Sequence, residues 1–332
     1  MTTAPHLPAP ASELIARRYS CRTYLERPIE ERDRHRLTAF MDSRSVGPFG
    51  SRARFGLIAA APDDRQSLRR LGTYGFIKGA TGFIAGAVQR APKDLEDYGY
   101  LLEEVILYAT ALGLGTCWLG GTFTRSTFVR RFGGLGRDET MPAVVSTGYP
   151  GDDGVERIRQ REEGDRRMPA AELFFDGRWG EPLELEASTA GGYAGSERSA
   201  SAGGHAEPEG GSSAAGYARA LEAVRMGPSA TNKQPWRIVR GGGDTAGGTA
   251  EADRRDPDWH FYLRRTKGYG KGSLAFKALR IADLQRVDMG IALCHFELVA
   301  CEAGLAGHWV VDDPGLAVPD GVEYTATWRA AD

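Results

Sequence analysis

A stretch near the middle of the chain recurs near its end. The segment YGYLLEEVILYATALGLGTCWLGG (98–121) slides onto MGIALCHFELVACEAGLAGHWVV (289–311) at an offset of 191 residues. That offset pairs Gly99 with Gly290, Leu102 with Leu293, Leu107 with Leu298 and Ala109 with Ala300. It then pairs Gly113 with Gly304, Leu114 with Leu305 and Trp118 with Trp309, seven identities in twenty ungapped positions. Each copy has apolar residues at helical spacing followed by Gly-Leu, which predicts a buried helix with a glycine C-cap entering an extended segment. Upstream, GPFGSRARFGLI (47–58) resembles GPSATNKQPWRIV (227–239), both opening Gly-Pro and running into a short β-like stretch. The offset there is about 180, and the 11-residue difference roughly matches a glycine-rich tract at 241–253. Order and spacing agree, so the sequence reads as an internal duplication.

Glycine punctuates the two copies. The chain has 44 glycines in 332 residues, about 13% where roughly 7% is usual. Residues 187–216 contain 22 Gly, Ala or Ser among thirty, with Tyr193 the one large apolar side chain. Such a segment buries too little surface to offset its chain entropy and reads as a flexible linker. The expected organisation is an N-terminal half (1–186), the linker (187–216) and a C-terminal half (217–332).

Charge and motifs exclude several classes. With 42 basic and 44 acidic residues the net charge is -2, so nothing points to nucleic acid. No apolar run approaches a membrane span, and the opening MTTAPHLPAP lacks the apolar core of a signal peptide. Four cysteines without a CxxC pair are too few for a disulfide framework and fit a reducing cytoplasm. GxGxxG between strand and helix, a Walker loop, HExxH and GxSxG are all absent. The six histidines share no metal-ligand spacing, so no metal site is expected. His295 reads as a satisfied core histidine, and Cys294 and Cys301 as small core residues.

Three segments remain. ARRYSCRTY (16–24) places Arg18, Ser20 and Arg22 around Tyr19 within one turn or so, which suits a phosphate or another anion. GPSATNKQPWR (227–237) is stiffened by Pro228 and Pro235 and offers Ser229, Thr231, Asn232 and Gln234 ahead of a strand, as a loop gripping a polar planar ligand would. GLGTCWLGG (113–121) has glycines that let backbone amides approach a ligand.

Together these residues resemble the FMN-dependent nitroreductase superfamily. Its first helix carries Arg-x-Ser-x-Arg/Lys, matched by Arg18, Ser20 and Arg22. Its signature loop is similar to PSxxNxQPW, matched by Pro228, Ser229, Asn232, Gln234, Pro235 and Trp236. A GLGTCW-like helix end is matched at Gly113–Trp118. In ordinary members the first two motifs lie some thirty residues apart and a homodimer builds two flavin sites. Here more than two hundred residues separate them, and each half lacks what the other keeps. The chain is therefore similar to a branch in which one polypeptide contains two related halves, and the expected fold is α+β, an intrachain pseudo-dimer with helices 98–113 and 289–304 near the pseudo-axis.

The resemblance implies bound FMN, NAD(P)H as co-substrate and an electron-poor small-molecule acceptor such as a nitroaromatic or quinone. FMN would carry the chemistry, with no catalytic side chain required. It implies Arg18 and Ser20 near the phosphate, Tyr19 among the cofactor-binding residues, Arg22 near the N1/O2 edge of the ring, Gly120 and Gly121 near N5, and Arg166 and Arg167 on the phosphate. Pro228, Ser229, Asn232 and Gln234 would complete the site. One such site per chain, and a monomer sufficient to form it, are expected, with neither nucleic acid nor membrane as partner. Two competing readings are an FMN-binding protein or carrier without reductase activity, and a remnant that has lost the flavin.

Overall fold

In the computed structural model the residues described are 7–59, 75–151, 166–185, 213–242, 256–269 and 281–331. The first half runs α1 (Ala11–Arg17), α2 (Glu31–Ser43), β1 (Ala53–Ala59), β2 (Gly82–Gln89) and α3 (Asp94–Ala111). It continues with β3 (Gly115–Leu119), α4 (Arg125–Arg131), β4 (Glu139–Thr140) and β5 (Val144–Gly148). A short connector, α5 (Ala170–Leu173) and β6 (Phe174–Asp176), leads to the second half. There follow α6 (Ser213–Met226), a 3-10 turn (Ala230–Asn232), β7 (Trp236–Arg240), β8 (Trp259–Arg264), α7 (Leu284–Glu302), β9 (Gly307–Val310) and β10 (Val322–Ala330).

The halves share a topology. One sheet has the order β1-β2-β5-β3, with β4 also on β2, and the other has β7-β8-β10-β9, with β6 outside β7. In both, a helix leads into the first strand and a long helix joins the second strand to the third. The pairings within each set of four are antiparallel, whereas β6 pairs parallel to β7, Phe174 opposite Ile238. The tail of the expected N-terminal half thus completes the sheet of the other half, so the seam is not a simple cut at residue 186. The linker also ends earlier than its composition implies. Residues 213–216 belong to α6, where Gly216 lies against Leu305 and Tyr217 stacks on Phe296. Residues 187–212 and 243–253 lie outside the described residues.

The expected pair of central helices is present. Nearly every residue of α3 and α7 is buried, and an all-round buried helix marks the centre of a fold. Leu101, Leu102, Val105 and Ile106 on α3 and Leu293, Phe296 and Ala300 on α7 belong to one core that spans both sheets. Each such large side chain contributes about 1.5–3 kcal/mol by leaving water. Both helices end as Schellman motifs: Gly113 and Gly304 take φ of 76° and 77°, and the next amides, Leu114 and Leu305, donate to Ala109 O and Ala300 O.

Glycine also fixes how closely the helices cross. A side chain on Gly99 would collide with the Val287 carbonyl, and one on Gly290 with the Glu96 carbonyl. Glu96 and Val287 are separated by 191 residues, the same offset that relates Gly99 to Gly290. The contact is therefore reciprocal, as at a twofold interface between identical subunits. Polar pairs tie the same seam: Arg286 to Glu96 and Asp94, the Tyr100 hydroxyl to Glu297 at 2.7 Å, and Lys93 to Thr325 O at 2.7 Å. No helix among the described residues is long and apolar enough to cross a membrane.

Candidate functional site

A cavity of about 680 Å³ opens where the halves meet, within the size range of small-ligand sites. The first half supplies Ser20, Arg22 and the end of β3, Trp118 to Gly121. The second supplies the Gly-Pro loop, Pro228 to Asn232, and one face of α7: Leu284, Val287, Asp288 and Ile291. These four follow the i, i+3, i+4, i+7 spacing that puts side chains on one helix face. Arg166 and Arg167, from the connector, close a third side.

Local structure explains how each group arrives. After α1 the chain leaves the helix and lies beside β3, with Ser20 bridging Thr116 and the Cys21 amide donating to Thr116 O at 2.9 Å. That places Ser20 and Arg22 beside the Trp118–Gly121 strand end. The Gly-Pro loop is strained: Thr231, Asn232 and Gln234 all have left-handed φ, of 51°, 55° and 45°. Each non-glycine residue there costs roughly 1–2 kcal/mol, a cost that concentrates at functional sites when surrounding bonds over-determine the conformation. Those bonds are present. Ser229 Oγ accepts from the Gln234 amide, Ser229 O from the Asn232 amide, and Asp288 Oδ1 from the Ala230 amide, all at 2.9 Å.

The same loop captures the arginine pair. Arg167 Nη1 donates to Gly227 O at 2.6 Å and to Asn232 Oδ1 at 3.0 Å, while Asn232 Nδ2 donates to Arg166 O at 3.2 Å. Gln234 Oε1 accepts from the Met168 amide at 2.9 Å. Among the several arginines of 157–167, Arg166 and Arg167 are thus set at the cavity by Asn232 and Gln234.

A family model described as "Putative TM nitroreductase" matches residues 11–173 and 209–300. The chain belongs to this nitroreductase family. The crystal structure of a putative nitroreductase from Thermotoga maritima covers 99% of this chain and 97% of its own at 18% identity, with a TM-score of 0.51, so the two share the α+β fold. A nitroreductase family protein from Clostridium difficile 630 matches 48% of this chain and 92% of its own at 18% identity and TM-score 0.37. An FMN-dependent nitroreductase from Clostridium difficile R20291 matches 42% of this chain and 87% of its own at 17% identity and TM-score 0.34. No curated protein matches the chain.

Nine of the twelve residues expected at the nitroreductase site line the cavity: Ser20, Arg22, Gly120, Gly121, Arg166, Arg167, Pro228, Ser229 and Asn232. Three do not. Gln234 is buried behind the loop and holds the Arg166–Met168 backbone in place of reaching the cavity. Arg18 and Tyr19 line a separate small cleft of about 110 Å³. The reason lies in α3: Arg18 is buried with its Nε 3.9 Å from Glu103 Oε1, a carboxylate that draws the guanidinium away from the cavity.

Glu103 organises this wall of the cavity. It accepts from Trp118 Nε1 at 2.8 Å and faces His295 Nε2 at 3.0 Å, and His295 Nδ1 faces Ala223 O at 2.9 Å. Burial alone would raise the Glu103 carboxyl, but His295, Arg18 and the indole N–H together hold it below its usual range. Both imidazole nitrogens of His295 thus have a partner. His295 is the satisfied core residue that its sequence context predicts, and Glu103 fixes the cavity-lining Trp118 indole. Cys294 is fully buried and Cys301 half-buried.

Asp288 escapes motif reading. Its carboxyl is buried on the cavity-lining face of α7, and Oδ2 has no hydrogen-bond partner among the described residues. Burial pushes the carboxyl well above its usual range; the Ala230 amide opposes this and Asp283 adds to it. A signal existed: Asp97 precedes Asp288 by 191 residues, just ahead of the matched window. Among the described residues no cluster of His, Cys, Asp and Glu is arranged to hold a metal ion.

Proposed function

We propose that the protein is an FMN-dependent oxidoreductase that passes hydride from NAD(P)H through bound FMN to an electron-poor small molecule such as a nitroaromatic or a quinone. The carrying observation is the donor set of the cavity. Three arginines and Ser20 line it beside Leu284, Val287 and Ile291 of α7 and Trp118, a set that suits a planar ring attached to a phosphate. FMN when bound supplies the redox chemistry. The chain's own residues bind and orient it. Arg166, Arg167 and Ser20 are suited to the phosphate, and Arg22 to a ring edge on which negative charge collects. Gly120 and Gly121, which carry no side chain, leave backbone free to approach the ring. Leu284, Val287 and Ile291 exclude water from one side.

One FMN per chain follows from the same comparison of halves. At the pseudo-equivalent place the loop reads GPFG and lacks the Ser, Asn and Gln side chains of PSATNKQ. Asp97 there uses both oxygens on loop amides, Oδ1 for Phe49 at 2.9 Å and Oδ2 for Ser51 at 2.8 Å. At the 191-residue offset, Gly120 and Gly121 correspond to Val311 and Asp312. The test is colour. The purified protein should show oxidised-flavin absorbance that NADH or NADPH bleaches anaerobically and a quinone restores. A colourless preparation that takes up no added FMN would overturn the proposal, and a yellow one that neither nucleotide bleaches would leave a carrier.

A further inference from the structure

The two halves hold their Gly-Pro loops by the same device and then differ. Asp97 and Asp288 occupy equivalent positions on α3 and α7, and each accepts an amide from the loop of its own half. Asp97 spends its second oxygen on Ser51. In the second half the left-handed turn at Thr231 and Asn232 sends the Asn232 amide to Ser229 O instead. Asp288 Oδ2 is thereby released, and it lies buried on a cavity-lining residue without a partner among the described residues. Leaving a buried carboxyl oxygen unsatisfied is unfavourable, so its presence at a cavity points to a ligand that uses it.

We propose that Asp288 is the acid that protonates the electron acceptor. This rests on reading the cavity as an oxidoreductase site. A quinone that takes hydride gains two electrons and one proton, and one further proton completes the hydroquinone. The Asp288 Oδ2–H bond breaks, a new O–H bond forms on the quinone oxygen where negative charge builds, and the aspartate regains its proton from water at the cavity mouth. Asp288 is the one carboxyl among the described lining residues. The ionisable groups around it are Asp283 at the start of its helix, Tyr269 after β8, and Arg22, Cys117, Arg166 and Arg167 in the cavity wall. No cation is hydrogen-bonded to Oδ2 among the described residues, and burial pushes the carboxyl well above its usual range, toward the protonated form.

Asp288→Asn retains an oxygen for the Ala230 amide and removes the acidic proton. With NADH or NADPH as donor, the ratio of quinone turnover to turnover of ferricyanide, which takes electrons without a proton, should fall about 100-fold. Independently of turnover, isotope-edited infrared spectroscopy of the wild-type protein should show a neutral aspartic acid at pH 7 that is missing from Asp288→Asn. An unchanged turnover ratio in a flavin-loaded variant would overturn the assignment, as would a carboxylate signal at neutral pH or the same loss in Tyr269→Phe. A flavin that neither nucleotide reduces would overturn the functional reading and this step with it. A reducible flavin beside an ionised Asp288 overturns this step alone.

Discussion

Substituting alanine at Gly99 or Gly290 tests the reciprocal helix crossing. The added methyl would overlap the carbonyl of Val287 in one case and of Glu96 in the other. The obstructing atom belongs to a helix backbone, so no rotamer change relieves it and the helices must separate. Overpacking costs typically 1–3 kcal/mol, and a backbone clash belongs at the upper end, about 3 kcal/mol. Alanine is better than glycine inside a helix by about 1 kcal/mol, which offsets part of this. Each variant should therefore lose about 2 kcal/mol in urea unfolding, roughly 30-fold in the folding constant. FMN affinity should fall with it, because the Val287–Asp288 face of α7 also lines the cavity. Gly304→Ala is the control: φ is 77° with nothing within 4 Å of the new methyl, so it should cost about 1–2 kcal/mol and leave flavin affinity alone. Neutral or stabilised Gly99→Ala and Gly290→Ala proteins, as helix propensity alone would give, would refute the close crossing.

Replacing Arg22 with Ala should weaken FMN binding about tenfold to a hundredfold through loss of a charge-assisted contact of roughly 1.5–3 kcal/mol. Arg18→Ala should instead lower the melting temperature, because the buried Glu103 loses a neighbouring charge, and isothermal titration with thermal melts separates the two. Burial raises the Glu297 and Asp97 carboxyls, with Tyr100 and Trp309 opposing at Glu297 and loop groups at Asp97. Their stabilisation is full below the ordinary carboxylate range and is lost as pH rises through the raised values, so the urea midpoint should fall as pH rises above the ordinary carboxylate range. Glu297→Gln should flatten that dependence. Removing ten residues within 187–212 should leave flavin content and melting temperature nearly unchanged, since loop-closure entropy varies slowly with length, whereas discarding 217–332 should abolish FMN binding.

Periodicity and chemistry were legible in the sequence to different depths. The two central helices and their glycine ends could be read because apolar spacing and Gly-Leu are local signals, whereas Gly99 and Gly290 stood only as matched positions until the crossing showed their role. The Ser20, Arg22 and PSATN contributions could be read because each motif carries its polar groups within a few residues. Arg18 could not be placed, because its direction is set by Glu103, 85 positions away and itself held by His295 of the other half. Gln234 has the composition of a ligand contact, yet the connector backbone it supports passes closer than the cavity does. The start of α6 was hidden because Ser213–Gly216 has linker composition, and only packing on Leu305 recruits it into a helix. The exchange of β6 onto β7 has no local signature, since FFD says nothing about which sheet receives it.

Flavin stoichiometry against molar mass tests the fused-pair account most directly. Absorbance of released FMN, protein concentration and light-scattering mass should together give one FMN per 332-residue chain, bound by a monomer. The complete set of groups, Ser20 and Arg22 from one half with Ser229 and Asn232 from the other, occurs once among the described residues. Two FMN per chain, or flavin held only by a dimer, would contradict it.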